Sequence, residues 1–255
     1  MSGLVVLLLV AVTSGDASSS LPCSAGWTAT RHISSPHATQ AAAADTGHVY
    51  AISNTTIAKY NRESGQLVST ATTDDTQHLN SGFFHDGKLW CAHSNYPAMP
   101  HESDIRVYDP EENTLSVYHV FSEPPGSLVW CIVKEGRWWC CFAHYGDDNH
   151  HTVLIEYEAD GFDRERQRFT FPDALIADWD GMSGSGGIWD GDSLLVSHHH
   201  FRVLYRLQIP EKGSTLRFIE ALHCPFPGQG FARDPVTDGL VGIDRYRRAI
   251  VYAEK

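Results

Sequence analysis

Three histidines, His93, His144 and His198, stand 51 and 54 residues apart, each closing a strand-like apolar run: KLWCAH, RWWCCFAH and DSLLVSH. If the three runs are equivalent, the imidazoles converge, and three neutral imidazoles suffice for an open metal site. They are the expected ligands for a divalent ion (zinc, manganese or calcium), which would bind a carboxylate, steady an enolate or activate water. His78, Tyr96 and Tyr145 are the expected proton carriers, His78 as base and a tyrosine as acid. Gln40, Asn80, Arg202 and Arg245 are expected to bind substrate, the arginines because a guanidinium matches a carboxylate bidentately. The chain carries 15 His, so the remainder on turns and outer runs, such as His32, His48, His85 and His119, read as structural or surface groups.

The elements that must position these residues announce themselves by their turns. Thr46-Gly47, Asp86-Gly87, Glu135-Gly136, Asp190-Gly191 and Asp238-Gly239 each separate two short apolar runs, with 40, 49, 55 and 48 residues between successive glycines. Such dipeptides favour the φ > 0 turns of antiparallel hairpins. A period of 40–55 residues with a hairpin near the front of each unit is the signature of propeller blades. The expectation is an all-β, five-bladed β-propeller with inner strands QAAAA, HLNSGFF, SLVWCIV, SGSGGIW and GQGFA. The fifth unit lacks an outer strand because the chain stops three residues after Tyr252. Trp27 to Ser34, WTATRHIS, alternates apolar and polar residues and is expected to close that last blade from the N-terminal side. In this layout the starts of the inner strands and the ends of the second strands open on one face. His93, His144, His198 and Asp244 would then meet at one mouth, with His78, Asn80 and Gln229 in the same cavity and Arg245 at its rim.

Residues 1–20 are expected to be a secretory signal peptide, since Leu4 to Val12 is apolar, too short to span a bilayer, and followed by small residues. Residues 21–255 are expected to form a single propeller domain in a secreted or periplasmic protein with no membrane span. A net charge of −12 excludes the clustered basic surface that nucleic acid needs. Export permits disulfides, and Cys23 and Cys224 are the expected pair. There is no G-x-S-x-G elbow, no P-loop, and MSGSGG opens a strand rather than a helix.

The layout resembles five-bladed propellers as a class from Trp27 to Lys255. Glycoside hydrolases of this shape use carboxylates on inner strands, and the inner strands here hold none. Plant-type glutaminyl cyclases share the blade number, but no stretch matches them residue by residue. The His-rich mouth with Gln229 is similar to the site of propeller lyases that cleave uronic-acid sugars, where three His and a Gln hold a metal. That resemblance implies a metal-dependent lyase or hydrolase acting on an acidic saccharide or a similar small polar substrate, with an oligosaccharide or small molecule as partner. The alternative is a non-catalytic ligand- or protein-binding propeller.

Overall fold

The computed structural model describes residues 19–159 and 161–255, so most of the expected signal peptide lies outside the described residues. Five antiparallel sheets follow one another along the chain. Blade 1 comprises Ala41–Ala44, His48–Ile52, Ile57–Asn61 and Leu67–Ala71; blade 2 comprises His78–His85, Lys88–Ser94, Ser103–Asp109 and Thr114–Phe121. Blade 3 comprises Ser127–Lys134, Arg137–Ala143, Val153–Tyr157 and Glu165–Thr170, and blade 4 Gly187–Asp190, Ser193–Ser197, Val203–Gln208 and Arg217–His223. Blade 5 holds Ala232–Arg233, Leu240–Asp244 and Ala249–Glu254 from the C-terminal end. Its outer strand is Thr28–Ser34, antiparallel to Ala249–Glu254. A strand from the N-terminal side thus completes the last blade and closes the ring between first and last blades. The chain is a five-bladed β-propeller.

The turn chemistry explains the hairpins. Asp86 and Gly87 both have positive φ (50° and 73°), as do Glu135 and Gly136 (52° and 76°). That pattern in a two-residue loop is the one whose twist matches the flanking strands. Near the axis the blades approach closely, which demands small residues. Ala41 to Ala44 are all buried, and a Cβ on Gly187 would lie 2.8 Å from the Trp130 ring. Trp130 itself is fully buried and donates its indole N–H to the Gly184 carbonyl at 3.0 Å. Trp130→Ala is expected to cost about 3–5 kcal/mol, the range for emptying a large aromatic from a core; a chemical denaturation midpoint reads it directly.

Two features depart from the sequence expectation. Cys23–Ser24 adds a parallel fifth strand to blade 4, with Cys23 opposite Ala221. Cys23 and Cys224 are both free thiols; one donates to the Leu21 carbonyl and the other to that of Phe226. The register seats Cys23 beside Ala221 instead, three residues short of Cys224. Among the described residues, helical structure is confined to a 3₁₀ turn, Gly146–His151, and the α-helix Asp173–Asp178. No helix among the described residues is long and apolar enough to cross a membrane.

Candidate functional site

A polar cavity of about 150 Å³ is lined by Gln40 from blade 1, His78, Asn80 and Tyr96 from blade 2, and Tyr145 from blade 3. Ser185 and His199 on the blade 4 side and Gln229 and Arg245 from blade 5 complete its polar lining. Only a space on the axis can be touched by all five blades. The opposite mouth, where the Gly turns lie, has an apolar floor of Phe83, Phe84, Ile132, Ile188 and Trp189 with Asp45, His85, Asp86 and Arg233 also in its lining, around about 490 Å³. The two mouths differ in kind: the first has histidines, tyrosines and an arginine without a carboxylate, and the second has carboxylates of its own beside Arg233.

The walls of this pocket are built, not incidental. Gln229 holds φ +69° while 2% exposed, a conformation costly for a residue with a side chain. It is over-determined by its neighbours: Ser197 Oγ donates to its carbonyl at 2.7 Å, and its own amide donates to the His199 carbonyl at 3.0 Å. Gly228 before it has φ +70°, and a Cβ there would come within 2.3 Å of the carbonyls of His198 and His199. Ser185 Oγ lies 2.6 Å from His199 Nδ1. Across the cavity, His78, Tyr96 and Tyr145 form a row, with ring centroids 5.4 Å and 4.7 Å apart. Asn80 donates to the Leu128 carbonyl at 2.7 Å.

The electrostatics run in one direction. Arg245 is the one formally charged side chain in the lining, and it has no carboxylate partner among the described residues. Desolvation, the neighbouring His93 and Arg245 bring His78 down to about 4. Desolvation, with repulsion from His200 and Arg245, brings His199 down to about 3. Both rings are therefore neutral near pH 7. Burial pushes the Tyr145 hydroxyl well up, so it remains a proton donor.

The expected metal ligands behave differently. His93 receives the Gln77 backbone N–H at Nε2 (2.9 Å) and faces Asp104 through Nδ1 at 2.7 Å. His198 accepts the backbone N–H groups of His200 and Phe201 at Nδ1, and its Nε2 meets the Asp178 carbonyl at 3.1 Å. His144 Nε2 meets the Pro125 carbonyl. Among the described residues no three His, Cys, Asp or Glu side chains are disposed to hold a metal ion. The set His93, His144, His198 and Gln229 does not fit a divalent ion: both ring nitrogens of His93 and His198 and Nε2 of His144 are engaged by other protein groups, and only Gln229 lines the cavity. Arg202 also stands apart from the pocket, donating to the Pro225 carbonyl and to Asp244 Oδ2 at 3.3 Å. It lines a wider neighbouring groove of about 960 Å³ with Asp180, His200, His223 and Tyr246.

Seven expected residues do line the axial pocket: Gln40, His78, Asn80, Tyr96, Tyr145, Gln229 and Arg245. On the blade 4 side His199, one position beyond the expected ligand His198, is the histidine that reaches it. The blade 2 histidine keeps an indirect role. Arg106, 3% exposed, grips Asp104, Asp75, Thr73 and Thr76, which with the His93–Gln77 bond fixes the segment leading into His78. His198→Ala is expected to destabilise the fold by about 1–3 kcal/mol, because the N–H groups of His200 and Phe201 and the Asp178 carbonyl lose their partner. Thermal melts of the purified variant check this.

No family model matches the sequence, and no curated protein matches it. Among solved structures, the fold is similar to the crystal structure of Myxococcus xanthus glutaminyl cyclase, with a TM-score of 0.58 at 10% identity, covering 89% of this chain and 95% of that one. A chain of a mitotic checkpoint complex aligns at TM-score 0.44 and 9% identity, over 84% of this chain and 62% of that one. The first likeness is one of fold.

Proposed function

We propose that the protein is an exported enzyme that takes an acidic sugar unit into the axial pocket and removes a proton next to its carboxylate, eliminating the neighbouring glycosidic oxygen. One observation carries the reading: a pocket touched by all five blades has an unpartnered arginine, two neutral imidazoles and two tyrosines, and no carboxylate in its lining. A net charge of −12 on the whole chain makes an acid-free, arginine-bearing cavity a local reversal of sign, suited to an anion. The size is that of roughly ten waters, enough for one small organic unit. The adjoining groove has room for the rest of an oligomer. His199 and Arg245 face the pocket while His200 and Tyr246 face the groove, so consecutive residues form the ridge between them.

The steps follow from these groups. Arg245 pairs with the substrate carboxylate and stabilises the negative charge that grows there as the adjacent C–H breaks. His78, neutral and beside the cavity, receives that proton. The electron pair forms the C=C bond, the C–O bond breaks, and Tyr96 or Tyr145 supplies a proton to the departing oxygen. Gln40, Asn80 and Gln229 orient the sugar hydroxyls. Carboxylate-pair hydrolysis lacks its residues in this pocket. The likeness of fold to a glutaminyl cyclase of Myxococcus xanthus is compatible with an enzyme on this scaffold. The test is incubation with a panel of acidic oligosaccharides while following the ultraviolet absorbance of a conjugated, unsaturated product. Product formation supports elimination. Thermal stabilisation by the same saccharides without product would instead favour the binding propeller.

A further inference from the structure

The first described residues end on a buried carboxylate. Asp178, 5% exposed at the end of the helix Asp173–Asp178, accepts the hydroxyls of Ser19 and Ser20 and the Ser20 backbone N–H, each at 2.6 Å. Tyr205 donates its hydroxyl to the same group. Cys23 also lies close enough to feel its charge. No cationic side chain forms an ion pair with this carboxylate among the described residues; His198 faces the Asp178 backbone carbonyl instead. These four donors outweigh desolvation and hold the carboxyl below its ordinary range, but none of them carries a charge. The nitrogen aimed at it is that of Ser20, and it sits where a charged partner belongs.

We propose that the Ser19–Ser20 peptide bond is hydrolysed during export and that the resulting Ser20 ammonium forms a buried ion pair with Asp178. Water adds at the Ser19 carbonyl carbon and the C–N bond breaks. Ser19 leaves with the leader as a carboxylate, and the Ser20 nitrogen takes up protons to become the ammonium. The catalyst is an endopeptidase that accepts small residues one and three positions before the cut, which here are Ser19 and Ala17. The ammonium brings further N–H donors to replace the Ser19 hydroxyl. The pair also bears on the axial pocket: the Asp178 backbone carbonyl holds His198, the neighbour of His199, and Met182 four residues on lines the same cavity.

The experiment begins with the full chain, leader included, in an exporting host, followed by N-terminal sequencing and intact mass. Ser20 is the expected first residue; any other first residue, or retention of the leader, overturns the proposal. The processed protein is then labelled with an amine-acylating reagent. An adjacent carboxylate raises the amine's affinity for its proton, so labelling of folded protein should be at least about tenfold slower than of denatured protein, one unit of proton affinity. Equal rates overturn the ion pair. Asp178→Asn should restore fast labelling. Should that variant fail to fold, a chain carrying acetylated Ser20 serves instead: it should melt several degrees lower than the free-amine chain, and an unchanged melting temperature would contradict the pair.

Discussion

Arg245→Gln lowers affinity for a carboxylate-bearing saccharide about 10- to 150-fold while leaving the melting temperature within a degree or two of the parent. The magnitude follows from hydrogen bonds to a charged group, worth about 1.5–3 kcal/mol each, with tenfold in Kd for every 1.4 kcal/mol. The fold survives because Arg245 supports no ion pair among the described residues and lies half-buried at the mouth. Arg245→Lys separates charge from geometry. A lysine retains the positive charge but not the two-pronged donor pattern, so it should recover part of the affinity and little of the turnover. Isothermal titration with acidic and neutral versions of one sugar gives the comparison. Equal binding of both by the parent protein would remove the arginine from its assigned role.

His78→Gln is the second large effect, expected to lower kcat by about 10²–10⁴, the usual contribution of a positioned base, with a far smaller change in KM. The pH profile of the parent protein tests the same assignment independently. Desolvation, His93 and Arg245 hold His78 at about 4 in the free protein. The base works only unprotonated, so kcat/KM should be level through neutral pH and fall as pH drops through about 4. A carboxylate bound to Arg245 cancels that arginine's repulsion, so the corresponding limb of kcat, which reports the complex, should lie at higher pH. His199→Gln should leave the acid limb in place, since His199 is held against Ser185 and Gln229. An acid limb that survives in His78→Gln would assign it to another group.

The two effects separate catalysis from scaffolding within one cluster of histidines. His78 and His199 look into the cavity and tune it; His93 and His198 turn their ring nitrogens onto scaffold groups, the Gln77 N–H and Asp104 for His93 and the His200 N–H and the Asp178 carbonyl for His198. Loss of the first kind should silence the site, and loss of the second should soften the protein. This division also accounts for the desolvation that keeps His78 neutral, because the packed blade 2 network behind it excludes water.

The blade count, the inner strands of blades 1 to 3 and the closing strand were legible in the chain itself, for physical reasons, whereas the inner strands of blades 4 and 5 start only at Gly187 and Ala232, well into the runs SGSGGIW and GQGFA. Asp86-Gly87 and Glu135-Gly136 demand a turn that few other dipeptides make, and the alternation of Trp27 to Ser34 fits only a strand with one buried face. Both are local properties, and the glycine period adds them into a ring. The residues of the inner strands followed, so Gln40, His78, Asn80 and Gln229 were placed at the mouth from sequence. What the tertiary structure decided is which of two adjacent residues at the end of each second strand faces the axis. His144 and Tyr145, His198 and His199, Asp244 and Arg245 are three such pairs, and in each the later residue lines the cavity. Successive side chains in extended backbone point opposite ways, so a shift of one residue exchanges a ligand for a strut. Where the ladder ends, that choice is fixed by contacts distant in sequence: Asp178 to His198, Pro125 to His144, Arg202 to Asp244. The grip of Ser20 on Asp178 across 158 residues is of the same kind, since no local pattern encodes it and only the closed ring brings its two ends together.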